Sequence, residues 1–206
     1  MNRYALSICI ILVMCAGCCA WADPILLAPS GSTLTTGQIR AEAAFSPNNK
    51  HGSCYWLGTG FRQYEINVLR VEGENDDDQN RFGVQWNFLP ETMFTPAVSF
   101  GVTDVFSQSD EGTGIYAAIT RDLPVGKASP FISSFSATLG IGAFGIKGPF
   151  AGFEAGLPGR VFLQADYDSR DLNAALGWQP VRYVRVKVYN LRDDFYLGAE
   201  LVPLEF

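Results

Sequence analysis

The chain has 206 residues, 48% hydrophobic, 13% aromatic and only 17% charged, with 21 Gly and a formal net charge of −6. Disorder goes with low hydrophobicity and high net charge, and nucleic-acid binding goes with a basic face; the composition speaks against both. Soluble domains usually carry about 25% charged residues, yet no long apolar run follows residue 22.

Residues 1–22 read as a secretory signal peptide. Arg3 is their only charge, residues 5–20 are almost wholly apolar, and Ala20-Trp21-Ala22 precedes Asp23-Pro24. A basic start, an apolar stretch and an A-x-A site are the marks of such a signal; an uncleaved anchor and a lipidated Cys18 are the alternatives. Cleavage after Ala22 removes Cys9, Cys15, Cys18 and Cys19 and leaves Cys54, so no internal disulfide is expected in an oxidising compartment. Residues 23–37 are expected to form a periplasmic N-terminal segment, and 38–206 a barrel.

From Ile39 onward apolar residues recur at period 2, as in half-buried strands. Ile39, Ala41, Ala43 and Phe45 alternate with Arg40, Glu42 and Ala44. The same alternation runs through Phe82–Phe88, Val98–Val102, Phe135–Ile141, Val161–Tyr167, Leu172–Trp178 and Val184–Val188. Weaker strands are predicted at 54–60, 64–72, 114–121, 150–157 and 194–206. The sum is an all-β, closed antiparallel transmembrane barrel of about 12 strands, with ten as the alternative count; single-chain bacterial barrels have even numbers. Connections at 46–53, 73–79 and 106–113 are polar and read as outer loops. Phe61-Arg62-Gln63, Pro158-Gly159 and Pro180-Val181 read as periplasmic turns, and 122–133 is long for that side.

Aromatic residues at predicted strand ends (Phe45, Tyr64, Phe88, Phe94, Phe106, Phe135, Trp178, Tyr189) suit interfacial girdles. The non-apolar face carries mostly Gly, Ser, Thr, Asn and Gln, which fits a narrow lumen better than the charged outer face of a soluble sandwich. Seven charged residues are expected to face that lumen: Arg40, Glu42, Glu154, Asp166, Arg185, Lys187 and Glu200. They would either form a plugging ion-pair network or line a polar pore.

Two segments carry resemblances. Val202, Leu204 and the terminal Phe206 resemble the C-terminal signature of bacterial outer-membrane barrels, which their assembly machinery reads; Pro203 interrupts the phase set by Phe195, Leu197 and Ala199, and a bulge there would reconcile the two. Residues 163–176, with Asp168, Arg170 and Asp171 at their turn, resemble a hairpin of YjbH-type outer-membrane proteins associated with exopolysaccharide production, with Ser169 where that hairpin carries Gly.

The resemblances imply a bacterial outer-membrane location, outer-membrane lipid, the barrel assembly machinery and polysaccharide or a small solute as partners, and a small channel or envelope scaffold linked to exopolysaccharide export or modification. The alternatives are a lipid-modifying hydrolase or acyltransferase resting on His51, the sole histidine, and a soluble periplasmic β-sandwich binding protein. No catalytic residue, metal site, cofactor or nucleic-acid partner is expected. Asp76-Asp77-Asp78 lacks the spacing of a calcium loop.

Overall fold

A computed structural model describes residues 28–47, 52–72, 78–123, 125, 131–191 and 194–205, the side chain of Glu205 excepted. The predicted signal peptide, His51, Asp76, Asp77 and Phe206 lie outside the described residues.

Alternation becomes strand at every place the sequence marked. The strands are β1 (Gln38–Phe45), β2 (Ser53–Phe61), β3 (Tyr64–Val71), β4 (Gln79–Leu89), β5 (Ala97–Thr103) and β6 (Gly114–Leu123). They continue as β7 (Ser134–Phe144), β8 (Gly148–Leu157), β9 (Val161–Tyr167), β10 (Leu172–Val181), β11 (Val184–Leu191) and β12 (Asp194–Glu205). Each pairs antiparallel with its sequence neighbours, and β1 pairs with β12 to close the barrel. Closure leaves no strand edge without a hydrogen-bond partner.

The two faces of the wall differ as the alternation requires. Ile39, Phe45, Leu57, Phe88, Leu139, Leu176, Trp178 and Leu197 are exposed on the outside, whereas Arg40, Glu42, Gln85, Gln164, Lys187 and Glu200 are buried inside. Inward glycines make the interior wide enough for inward rings. Gly140 stands opposite Phe150, and Gly177 opposite Phe162; a Cβ at either glycine would come within 2.1 Å of the facing ring. Part of the high glycine content is therefore a packing requirement of a narrow lumen.

Three details depart from or complete the sequence reading. Pro180 and Val181 belong to β10, and the turn falls at Arg182-Tyr183. Tyr189 points inward and is fully buried, so it is no part of an outer girdle. The β1–β12 register pairs Ala41 with Leu201 but Ile39 with Leu204, a bulge on β12 across Val202-Pro203. The extra residue lets Leu201 and Leu204 share one face, and the missing proline donor falls where the ladder is already interrupted.

The barrel has a loop end, with connections 46–52, 72–78, 104–113, 145–147, 168–171 and 192–193, and a terminal end, with 62–63, 90–96, 124–133, 158–160 and 182–183. The terminal end also holds the start of β1 and the end of β12. Before β1, residues 28–34 run inside the barrel. Ser32 and Leu34 are buried there, and Thr36 makes a parallel bridge with Gly60 near the terminal end. The segment expected in the periplasm thus contributes residues 28–36 to the lumen.

Candidate functional site

Among the described residues, the interior gathers polar chemistry on rigid elements, and two walls line it differently. On the wall of β11, β12 and β1, the inward positions carry charges of both signs. Lys187 Nζ lies 2.8 Å from Glu42 Oε1 and 2.7 Å from Glu200 Oε2. Arg40 pairs with Glu200, and the Tyr189 hydroxyl donates to Glu42. Arg185 grips Glu154 of β8 through two bonds, of 2.8 and 3.2 Å. Its guanidinium sits 4.2 Å from the centre of the Phe162 ring, and Gln164 donates to Glu154 at 2.6 Å.

Six of the seven charged residues expected to face the lumen therefore meet in one cluster: Arg40, Glu42, Glu154, Arg185, Lys187 and Glu200. Three cations face three carboxylates, so the cluster is neutral as a whole, which is what makes charges tolerable out of water. Asp166, the seventh, stands apart. It accepts from Asn173 Nδ2 at 2.7 Å and from the Ala28 N–H at 3.3 Å.

The opposite wall, β3 to β7, holds the inner segment through uncharged donors and acceptors, with one exception. Gln85 Nε2 donates to the Ser30 carbonyl at 2.6 Å and to Ser99 Oγ at 2.9 Å, while its Oε1 accepts from the Tyr116 hydroxyl at 2.9 Å. The Gly31 N–H donates to Thr120 Oγ1 at 2.7 Å, and Asn87 donates to Thr33 Oγ1 at 3.2 Å. The exception is Glu65, whose Oε2 accepts from the Leu34 N–H at 2.8 Å.

The segment divides the remaining space in two. Ser32 to Thr35 line a cavity of about 1010 Å³ at the terminal end, with Arg62, Arg121, Phe162 and Arg185 on its walls. Ala28 to Ser30 line a smaller cavity of about 140 Å³ at the loop end.

The loop end is laced across its mouth. Arg170, at the tip of the β9–β10 hairpin, reaches Glu111 Oε1 at 2.5 Å and the Gly145 carbonyl at 3.1 Å, while Arg81 bonds Glu111 Oε2 at 2.9 Å. Three connections are thereby tied together. Asp168 works locally: its Oδ1 accepts the N–H groups of Arg170 and Asp171 at 3.0 and 2.8 Å. Ser169 takes a left-handed φ of 78°, the backbone that glycine adopts without strain.

In the 104–113 loop, burial pushes the Asp104 carboxyl up, but the Ser109 hydroxyl and the N–H groups of Gln108 and Ser109 outweigh it and hold the group below its ordinary range. Among the described residues no cluster of three His, Cys, Asp or Glu side chains is placed to hold a metal.

Sequence reading singled out the charged cluster and the hairpin turn. It did not single out the inner segment, Gln85, Tyr116, Glu111 or Glu65. Glu65 was within reach, because Tyr64, Ile66 and Val68 set an outward phase that turns Glu65 and Asn67 inward. Residues 28–36 are small, polar and aperiodic, and nothing in them separates a lumen filler from a linker.

The class that fold and interior define is the closed twelve-stranded antiparallel barrel, apolar outside and polar inside, and it fits a generic outer-membrane β-barrel. No protein-family model and no curated protein matches the chain.

Proposed function

We propose that the protein resides in the outer membrane of a bacterium as a barrel whose lumen is closed by its own residues 28–36, and that in this state it serves the envelope as a scaffold. The inside-out distribution of side chains carries the reading. A continuous outer surface of Leu, Ile, Val, Phe and Trp has no partner in the fold, and lipid is the solvent that such a surface fits. Exposed aromatic residues lie toward both ends, Phe45, Phe106, Phe144 and Phe195 at one and Phe61, Tyr64, Phe88 and Trp178 at the other.

One observation favours a second reading, a small channel that opens when the segment leaves. The segment contacts the wall largely through single hydrogen bonds, and space lies on both of its sides. The likeness of residues 163–176 to a polysaccharide-associated hairpin makes short glycans the first solutes to try.

Fractionation of cells combined with gel migration tests the location. A band in the outer-membrane fraction that migrates faster unboiled than boiled is the expected result. A band released with the periplasmic contents and indifferent to heating would point to a soluble β protein.

A further inference from the structure

Glu65 differs from the carboxylates of the charged wall, which come with cations. Glu42, Glu154 and Glu200 each bond a Lys or Arg. Glu65 is 3% exposed, and its carboxylate accepts only the Leu34 N–H at 2.8 Å and Asn67 Nδ2 at 3.3 Å. Arg40 acts on it through space, but that guanidinium is committed to Glu200. Glu65 lines the loop-end cavity of about 140 Å³. Burial makes a carboxylate's charge costly, and a cation entering the cavity that Glu65 lines offsets that cost.

The rest of the cavity has the same bias. Its charged lining is Glu65, Asp104, Glu111 and Asp168 against Arg81 and Arg170, and both arginines are spent on Glu111. Asp104 accepts from the Ser109 hydroxyl, and Asp168 from the Asp171 N–H. Among the described lining residues carboxylates outnumber cations four to two, a balance that favours cations over anions. Trp56 and Tyr116 line the same cavity, and aromatic rings attract cations. Asn67 donates to Glu65 through Nδ2, which leaves its Oδ1 as an acceptor. A single carboxylate with an amide oxygen and aromatic walls suits an ammonium group; it lacks the several carboxylates that a divalent cation takes.

We propose that the loop-end cavity is a binding site for a small protonated amine, with Glu65 as counter-ion, Asn67 Oδ1 as second acceptor and Trp56 and Tyr116 as apolar walls. The size limits the ligand to a handful of heavy atoms, since a cavity of about 150 Å³ holds one benzene ring. The site depends on the cavity and its residues and not on the cellular location of the barrel.

The test is calorimetric titration of the purified full-length protein in detergent micelles with n-propylammonium chloride, 1-propanol and calcium chloride. Saturable binding of propylammonium alone is expected, weakened about tenfold or more by Glu65→Gln and less by Asn67→Ala, and unchanged by Asp122→Asn at the opposite end. Absence of propylammonium binding, equal binding of 1-propanol, preference for calcium, or binding that Glu65→Gln leaves intact would each overturn the proposal. Should Glu65→Gln fail to fold, Asn67→Ala and the infrared spectrum of the parent protein decide. A protonated-carboxyl band that deuterated propylammonium leaves in place means that Glu65 is neutral and needs no cation, which also overturns it.

Discussion

The two walls of the lumen solve one problem in opposite ways. On β11, β12 and β1, inward charges are paired with charges of the opposite sign. On β3 to β7, amides and hydroxyls hold a segment that is not part of the barrel, and cavities lie above and below it. Paired charges fix a wall, because separating them leaves an ion stranded in low dielectric. Neutral hydrogen bonds contribute only about 0.5–1.5 kcal/mol net each, so a segment held by several of them can be ordered and still be removable. The charged side is wall, and the segment held by neutral bonds is filling.

The sharpest way to break this distinction is to remove one cation from the charged wall. Lys187→Met leaves Glu42 and Glu200 with less compensation, and a loss of about 3–5 kcal/mol is expected in denaturant unfolding from micelles. Adding Glu42→Gln to that variant should recover part of the loss. A loss below about 1 kcal/mol in the single variant would mean that these pairs behave like solvated surface pairs, and the charged wall would lose its special status.

The neutral wall should respond more weakly and more locally. Gln85→Ala removes the donor to the Ser30 carbonyl and leaves the Tyr116 hydroxyl without its acceptor, a change of about 1–3 kcal/mol. The expected readout is faster amide exchange in residues 28–36 with a smaller shift in the global midpoint. A shift confined to the global midpoint would mean that the segment and the barrel unfold as one unit.

The smallest effect lies outside the walls, in the 104–113 loop. The Asp104 carboxyl is held below its ordinary range, so it binds a proton less readily folded than unfolded. Its stabilising contribution is present above the ordinary carboxylate range and is lost as pH falls through the lowered value. Protection of the Gln108 and Ser109 amides should follow that course, and Asp104→Asn should abolish the pH dependence. Protection that is flat with pH in the parent protein would remove Asp104 from the loop's support.

Much of the fold was legible because period 2 is a local signal. Residues such as Val184, Val186 and Val188 announce an outward face, and Arg185 and Lys187 follow inward without further information. The phase break at Pro203 was equally local and resolves as a bulge. The inner segment was not legible, because its partners are distant in sequence: Thr120 lies 89 residues from Gly31, and Asp166 lies 138 from Ala28. Turn positions slipped where a residue type misled, as at Pro180, which ends a strand instead of opening a turn. Tyr189 slipped because an aromatic ring serves a girdle or a buried hydroxyl equally well until its partner, Glu42, is in place.

Residues 28–36 are proposed to close an otherwise continuous lumen. Single-channel recording in planar bilayers, comparing the full chain with a variant lacking residues 28–36, tests it most directly. A silent parent protein is expected, with discrete conductance steps in a variant that retains heat-modifiable migration. Steps of equal size in both, or silence in a properly folded deletion variant, would contradict it.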